Sequence, residues 1–177
     1  MRGLFLSRGV VFRIVTLISM RKTSVLFVCM GNICRSPSAD GIFRHRLAQS
    51  GLADVVAVDS AGTHSYHIGH APDARTQAAA LRRGYDLSEL RARRVESADF
   101  ERFEWIVAMD DANVAELVAR CPAEFRHKIV RLMDFATRHD ATEVPDPYYG
   151  GAQGFETVLD YIEDGLDGLL ARLEKDA

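Results

Sequence analysis

The chain has 177 residues, 47 % of them hydrophobic and 27 % charged, with a formal net charge of −3. That is enough for one well-packed domain and too little for two ordinary ones, and the near-average composition argues against a disordered or membrane-embedded body. The acidic balance excludes a general nucleic-acid role, although residues 1–50 carry eight Arg or Lys and one acid, Asp40; a basic face there would attract phosphate esters.

In chain order, the first twenty residues are apolar with interspersed arginines. Arg8 and Arg13 break the uninterrupted apolar core of an export signal, and no stretch suits a membrane span. An upstream start, with Met20 as the natural first residue, is expected; a weak interfacial segment is the second reading. Val25 to Val28 read as a buried strand. Gly31 and Asn32 suit a tight loop, Ser36 an N-cap and Pro37 the first position of a helix running from about Ser38 to Gln49, which Gly51 ends. Val55 to Val58 form a second strand, Gly62 to Pro72 a long loop, and a helix follows to Gly84. Trp105 to Met109 is a third strand, with Asp110 or Asp111 capping a helix to about Arg120, and Lys128 to Leu132 is a fourth. Phe155 to Leu173 has apolar residues at helical spacing. The arginines at 82, 83, 91, 93 and 94 read as a solvated face.

Alternating strands and helices predict an α/β single domain: a four-stranded parallel sheet with helices on both faces, binding its ligand beyond the carboxyl ends of the strands. Cys29 stands at such an end. The loop Met30, Gly31, Asn32, Ile33, Cys34 leads from it to Arg35 and Ser36 at a helix start, where backbone N–H groups and the helix dipole attract an anion. The same field favours a thiolate at Cys29, and the Arg35 fork holds two oxygens of a tetrahedral oxyanion. A thiolate that displaces an alkoxide or phenoxide needs a general acid. Asp146, stiffened between Pro145 and Pro147, is the candidate. Three cysteines, Cys29, Cys34 and Cys121, are too few for a secreted disulfide framework and point to the cytoplasm. His64, His67 and His70 recur every three residues, but Gly69 and Pro72 argue against a helix that would align them on a metal, so no metal and no cofactor is expected.

The loop CMGNICRSP from Cys29 resembles the signature of the low-molecular-weight protein tyrosine phosphatases, as do VDSAGT at Val58 to Thr63, Tyr66 with Ile68 and Gly69, Ala108-Met-Asp110, and PDPYYGG at Pro145 to Gly151. The match covers roughly Lys22 to the C-terminus. It implies a flavodoxin-like phosphatase domain over 21–177, with 1–20 an extension outside it. The implied activity is hydrolysis of protein phosphotyrosine and small aryl phosphates through a phosphocysteine, with Cys29, Arg35 and Asp146 catalytic. Phosphotyrosine proteins and a tyrosine kinase are the implied partners, without nucleic acid or stable membrane insertion. Tyr66, Tyr148 and Tyr149 would rim a deep slot, Ser60 would support the loop through Asn32, and Cys34 would pair reversibly with Cys29 under oxidation. One departure is Leu90, where many relatives carry a histidine in the loop-supporting network. The alternative is a thiol-dependent arsenate reductase, which would need a downstream cysteine pair where this chain has only Cys121.

Overall fold

The structure, a computed structural model, describes residues 22–176; the expectations for 1–20 lie outside the described residues. Four parallel strands form one sheet: β1 (Thr23–Cys29), β2 (Val56–Gly62), β3 (Trp105–Ala108) and β4 (Ile129–Arg131), in the order β2-β1-β3-β4. Among the described residues five α-helices accompany them: α1 (Arg35–Ser50), α2 (Ala74–Arg82), α3 (Ser97–Arg102), α4 (Asp111–Arg120) and α5 (Ala152–Asp176). Strands and helices alternate as expected, with helices on both faces of the sheet.

Side chains along a strand point alternately to opposite faces, and β1 supplies both halves of the core in this way. Val25, Phe27 and Cys29 join Ile42, Phe43, Leu47 and the apolar face of α5 on one side. Leu26 and Val28 join Phe100, Phe103 and Leu117 from the α3 and α4 regions on the other. Phe27 meets Phe43 edge to face with ring centroids 5.6 Å apart, a favourable aromatic geometry. Because β1 is buried on both faces, its sequence is continuously apolar rather than alternating.

The strand order reverses at β1, which has β2 on one side and β3 on the other. The crevice beyond the carboxyl ends of two such strands is where doubly wound sheets bind ligands. Cys29 lies opposite Gly62 of β2, and Val28 lies opposite Ala108 of β3. The residue after β1 therefore enters this crevice.

Three local expectations change. The helix after the first loop begins at Arg35, and its N-cap is Cys34, without a side-chain cap hydrogen bond; Ser36 is inside the helix, and its hydroxyl meets Cys29 and Asn32 rather than capping a backbone N–H. A short helix, α3, forms at Ser97 through a capping box in which Glu96 and Asp99 satisfy each other's backbone N–H groups. The arginines read as a solvated face include two tertiary anchors: Arg83 pairs with Glu156, Asp160 and Glu163 of α5, and Arg93 pairs with Asp59 and Asp99. Asp110 does cap α4, accepting from the Asn113 N–H at 2.7 Å, and Gly51 ends α1 at φ 74°. The basic excess near the N-terminus is partly neutralised, since Arg44 pairs with Asp40 and Arg46 with Asp167.

Candidate active site

Beyond β1 the chain turns sharply, and Asn32 adopts φ 56°, the left-handed conformation that asparagine tolerates better than most residues. Gly31 does not use positive φ; it is small because a Cβ there would come 3.0 Å from Cδ2 of His67. The turn wraps the Cys29 sulfur. The Asn32 N–H points at Sγ from 3.3 Å, and the Ser36 hydroxyl lies 3.0 Å from it. The N–H groups of Gly31, Ile33 and Cys34 meet no protein acceptor among the described residues, so they remain for an incoming anion.

Asn32 holds this shape with its whole side chain. Its Nδ2 donates to Ser36 Oγ at 2.8 Å and to Ser60 Oγ at 3.1 Å, while its Oδ1 accepts from the Arg93 N–H at 2.9 Å. Leu90, expected to weaken the loop-supporting network, is partly buried against the main core. The side-chain amide of Asn32 nevertheless has both donors and its oxygen engaged, an arrangement that a buried amide requires.

Arg35 is 2 % exposed and ties three segments together. Its Nη1 donates to Asp110 Oδ2 at 2.5 Å and to the Val144 carbonyl at 3.0 Å, and its Nη2 lies 3.3 Å from Asp146 Oδ2. Burial works against its charge, but Cys29, Asp110 and Asp146 together hold its pKa above the ordinary guanidinium value. Asp146 keeps 43 % of its side chain exposed, and its Oδ1 accepts from the Tyr148 N–H at 3.1 Å. In the sequence Asp110 reads as a helix cap and as part of the Ala108-Met-Asp110 resemblance, with no role toward Arg35; its second oxygen, on Arg35, is a long-range contact with no local signal.

The cavity formed here measures about 350 Å³ and is lined by Cys29, Met30, Gly31, Ile33, Cys34, Arg35, Tyr66, His67, Asp146, Tyr148 and Tyr149. Tyr66 and Tyr149 stand 70 % and 96 % exposed at its edge, and Tyr148 is exposed to a lesser degree, 37 %. Arg75, not anticipated, donates to the Tyr148 carbonyl at 3.1 Å and lies 5.5 Å from its ring centroid. His67 is the other unanticipated member, with its ring 6.3 Å from that of Tyr148. His64 stacks on Tyr66 and shares a hydrogen bond with Thr63 Oγ1. Among the described residues no cluster of potential metal ligands forms.

The other thiols are buried. Cys34 reaches the cavity wall with only 5 % of its surface exposed, and burial pushes its pKa up to about 12. Cys121 is 3 % exposed in the second core, where burial also raises its pKa. Among the described residues no helix is long and apolar enough to cross a membrane.

The family model described as low molecular weight phosphotyrosine protein phosphatase matches residues 24–177. The chain belongs to this family. It is 42 % identical over 153 residues to the low molecular weight protein-tyrosine-phosphatase YfkJ of Bacillus subtilis, covering 86 % of this chain and 97 % of that one. A low molecular weight protein-tyrosine-phosphatase of Streptomyces coelicolor is 42 % identical over 154 residues, covering 85 % and 93 %. The crystal structure of a protein tyrosine phosphatase from Entamoeba histolytica, with Hepes in its active site, superposes with a TM-score of 0.85 at 43 % identity, covering 88 % and 99 %. Membership in the family agrees with the flavodoxin-like phosphatase fold expected from the sequence.

Proposed function

We propose that this chain hydrolyses protein phosphotyrosine and small aryl phosphates through a phosphocysteine on Cys29. The observation that carries this reading is the meeting of a thiol, an arginine and an aspartate in one cavity: Cys29, Arg35 and Asp146 all line it.

In the first step the Cys29 thiolate attacks phosphorus, the S–P bond forms and the P–O bond to the phenol breaks. The phosphate oxygens are held by the Arg35 fork and the free loop amides, which act on charge as it develops. Asp146 delivers a proton to the leaving phenolate. Binding of the phosphate gives Arg35 a dianion to hold in place of Asp146, which frees that carboxyl for the proton. In the second step Asp146 takes a proton from water as it attacks phosphorus, and the thiolate leaves with inorganic phosphate as product. The Ser36 hydroxyl and the Asn32 N–H stabilise sulfur as attacking and leaving group.

Tyr66, Tyr148 and Tyr149 supply rings for stacking on the substrate's aromatic ring. A thiol at the bottom of a cavity suits phosphotyrosine, whose phosphorus stands far from the backbone. On this reading the partners are phosphotyrosine proteins and the kinase that makes them, in the cytoplasm, where three free thiols stay reduced. Cys34 would pair with a Cys29 sulfenic acid, water leaving as the disulfide forms, at a rate held down by the burial that raises its pKa. Arsenate reduction lacks its downstream relay, because Cys121 stands alone and buried.

The test is hydrolysis of para-nitrophenyl phosphate and of a phosphotyrosine peptide, with a chelator present, by the wild type and Cys29→Ser. Turnover that persists with chelator and disappears in Cys29→Ser is the expected result.

A further inference from the structure

The segment that carries Asp146 to the cavity runs from Ala136 to Gly151 without helix or strand. Loops of that length in a compact domain need fixed anchors or stay loose. One anchor is Val144, fully buried, whose N–H donates to the Met109 carbonyl at 2.8 Å and whose carbonyl accepts from Arg35. On either side of it the Glu143 carboxylate accepts from the Asp111 N–H at 2.8 Å and the Tyr148 carbonyl from Arg75 at 3.1 Å, while at the root of the segment the anchor is a carboxylate on α5. Asp164 is 0 % exposed, and it accepts from three successive backbone N–H groups: Thr137 at 2.9 Å, Arg138 at 3.0 Å and His139 at 2.8 Å. The His139 Nδ1 adds a fourth contact at 2.8 Å, and the Arg138 Nε stands 3.8 Å away.

The helix is shaped around the same segment. A Cβ on Gly165 would lie 2.9 Å from the Leu132 carbonyl oxygen, and one on Gly168 would lie 1.9 Å from that of Phe135. Small residues let the chain press onto α5 just before it reaches Asp164, and the His139 ring then packs on Tyr161 at 4.9 Å. A buried carboxylate is costly unless its oxygens are fully bonded. Here it is bonded entirely by the first residues of the loop that leads to Asp146.

We infer that Asp164 is a positioning residue for the general acid: it fixes the root of the 136–151 loop, so that Asp146 reaches the leaving oxygen. The inference rests on the proposed hydrolase reading, in which Arg35 turns to the bound phosphate and stops holding Asp146. At that moment the loop is held near Asp146 by Val144, by Glu143 on the Asp111 N–H and by Arg75 on the Tyr148 carbonyl, and at its root by Asp164. A general acid contributes only while it stays within hydrogen-bond reach of its target.

The experiment compares kcat/KM for phenyl phosphate, whose strongly basic phenolate needs the proton, with that for para-nitrophenyl phosphate, whose weakly basic leaving group needs it less. Asp164→Ala should lower the first by about tenfold or more, a part of the roughly 10²–10⁴ that a general acid contributes, and the second by less than about threefold. In an Asp146→Ala background, Asp164→Ala should add no further loss on phenyl phosphate, since the group it positions is gone. Equal losses on both substrates, no loss on either, or an undiminished loss in the Asp146→Ala background would overturn the inference. If Asp164→Ala does not fold, His139→Ala decides, because it removes one of the four contacts and should give the same split in milder form; an equal effect on both substrates overturns it. Wild-type protein inactive on both substrates would overturn the hydrolase reading itself, an outcome seen before any Asp164 variant is compared.

Discussion

Arg35 Nη2 lies 3.3 Å from Asp146 Oδ2, across 111 residues of sequence. The same guanidinium bonds Asp110 at the start of α4 and the Val144 carbonyl. One buried side chain thus joins the loop after β1, the helix after β3 and the segment before α5. A planar fork does this where a single ammonium would not.

Asp146→Asn keeps the shape of the carboxyl and removes its proton. On a substrate with a phenolic leaving group, kcat/KM should fall by roughly 10²–10⁴. The alkaline limb of its pH profile, which reports the acid, should flatten. A profile of unchanged shape would assign the proton to another group.

Asn32→Ala strips Ser36, Ser60 and the Arg93 N–H of their shared partner. Each buried polar group left unpaired costs about 1–3 kcal/mol, and alanine is less at ease than asparagine at φ 56°. Thermal unfolding should show a loss of about 3 kcal/mol. Activity measured well below the melting temperature should also fall, because the Asn32 N–H and Ser36 hydroxyl would no longer be held against the sulfur.

Iodoacetamide should distinguish the three thiols. With its pKa pushed up to about 12 by burial, Cys34 carries almost no thiolate at neutral pH, and only the thiolate is nucleophilic. Peptide mapping of native protein should find Cys29 alkylated, inorganic phosphate should protect it, and Cys34 and Cys121 should react only after unfolding.

Asp164 couples the fold to pH. Burial raises its pKa, but the N–H groups of Thr137, Arg138 and His139 and the His139 ring outweigh burial and bring it from 3.8 to about 2. A carboxyl lowered in the folded state stabilises above its unfolded pKa and loses that contribution as pH falls through its folded one. The contribution, about 2 kcal/mol at one pKa unit per 1.36 kcal/mol, should be complete near pH 7 and disappear between about pH 4 and pH 2. Melting temperatures of wild type and Asp164→Asn should therefore differ at pH 7 and converge near pH 2.

The parts of this molecule written locally were legible in its sequence. The apolar run Val25 to Val28, the turn residues after Cys29 and the Gly51 helix stop each act over a few residues, and the element order follows from them. The contacts made across the chain were not. Ser36 has the composition of a helix cap, but the thiol 3.0 Å away claims its hydroxyl. Arg83 and Arg93 look like surface charge until α5, β2 and α3 bring carboxylates to them. Asp164 sits between Glu163 and Gly165 in a helix with several other acids, and nothing near it in sequence reveals that it is the buried one, with backbone N–H groups from 137–139 as partners.

The most direct measurement is to quench turnover of para-nitrophenyl phosphate in acid and map phosphate by mass spectrometry. The account predicts phosphate on the peptide bearing Cys29, more of it in Asp146→Ala, where attack of water is slowed, and none in Cys29→Ser. Phosphate on another residue, or undiminished turnover by Cys29→Ser, would contradict it.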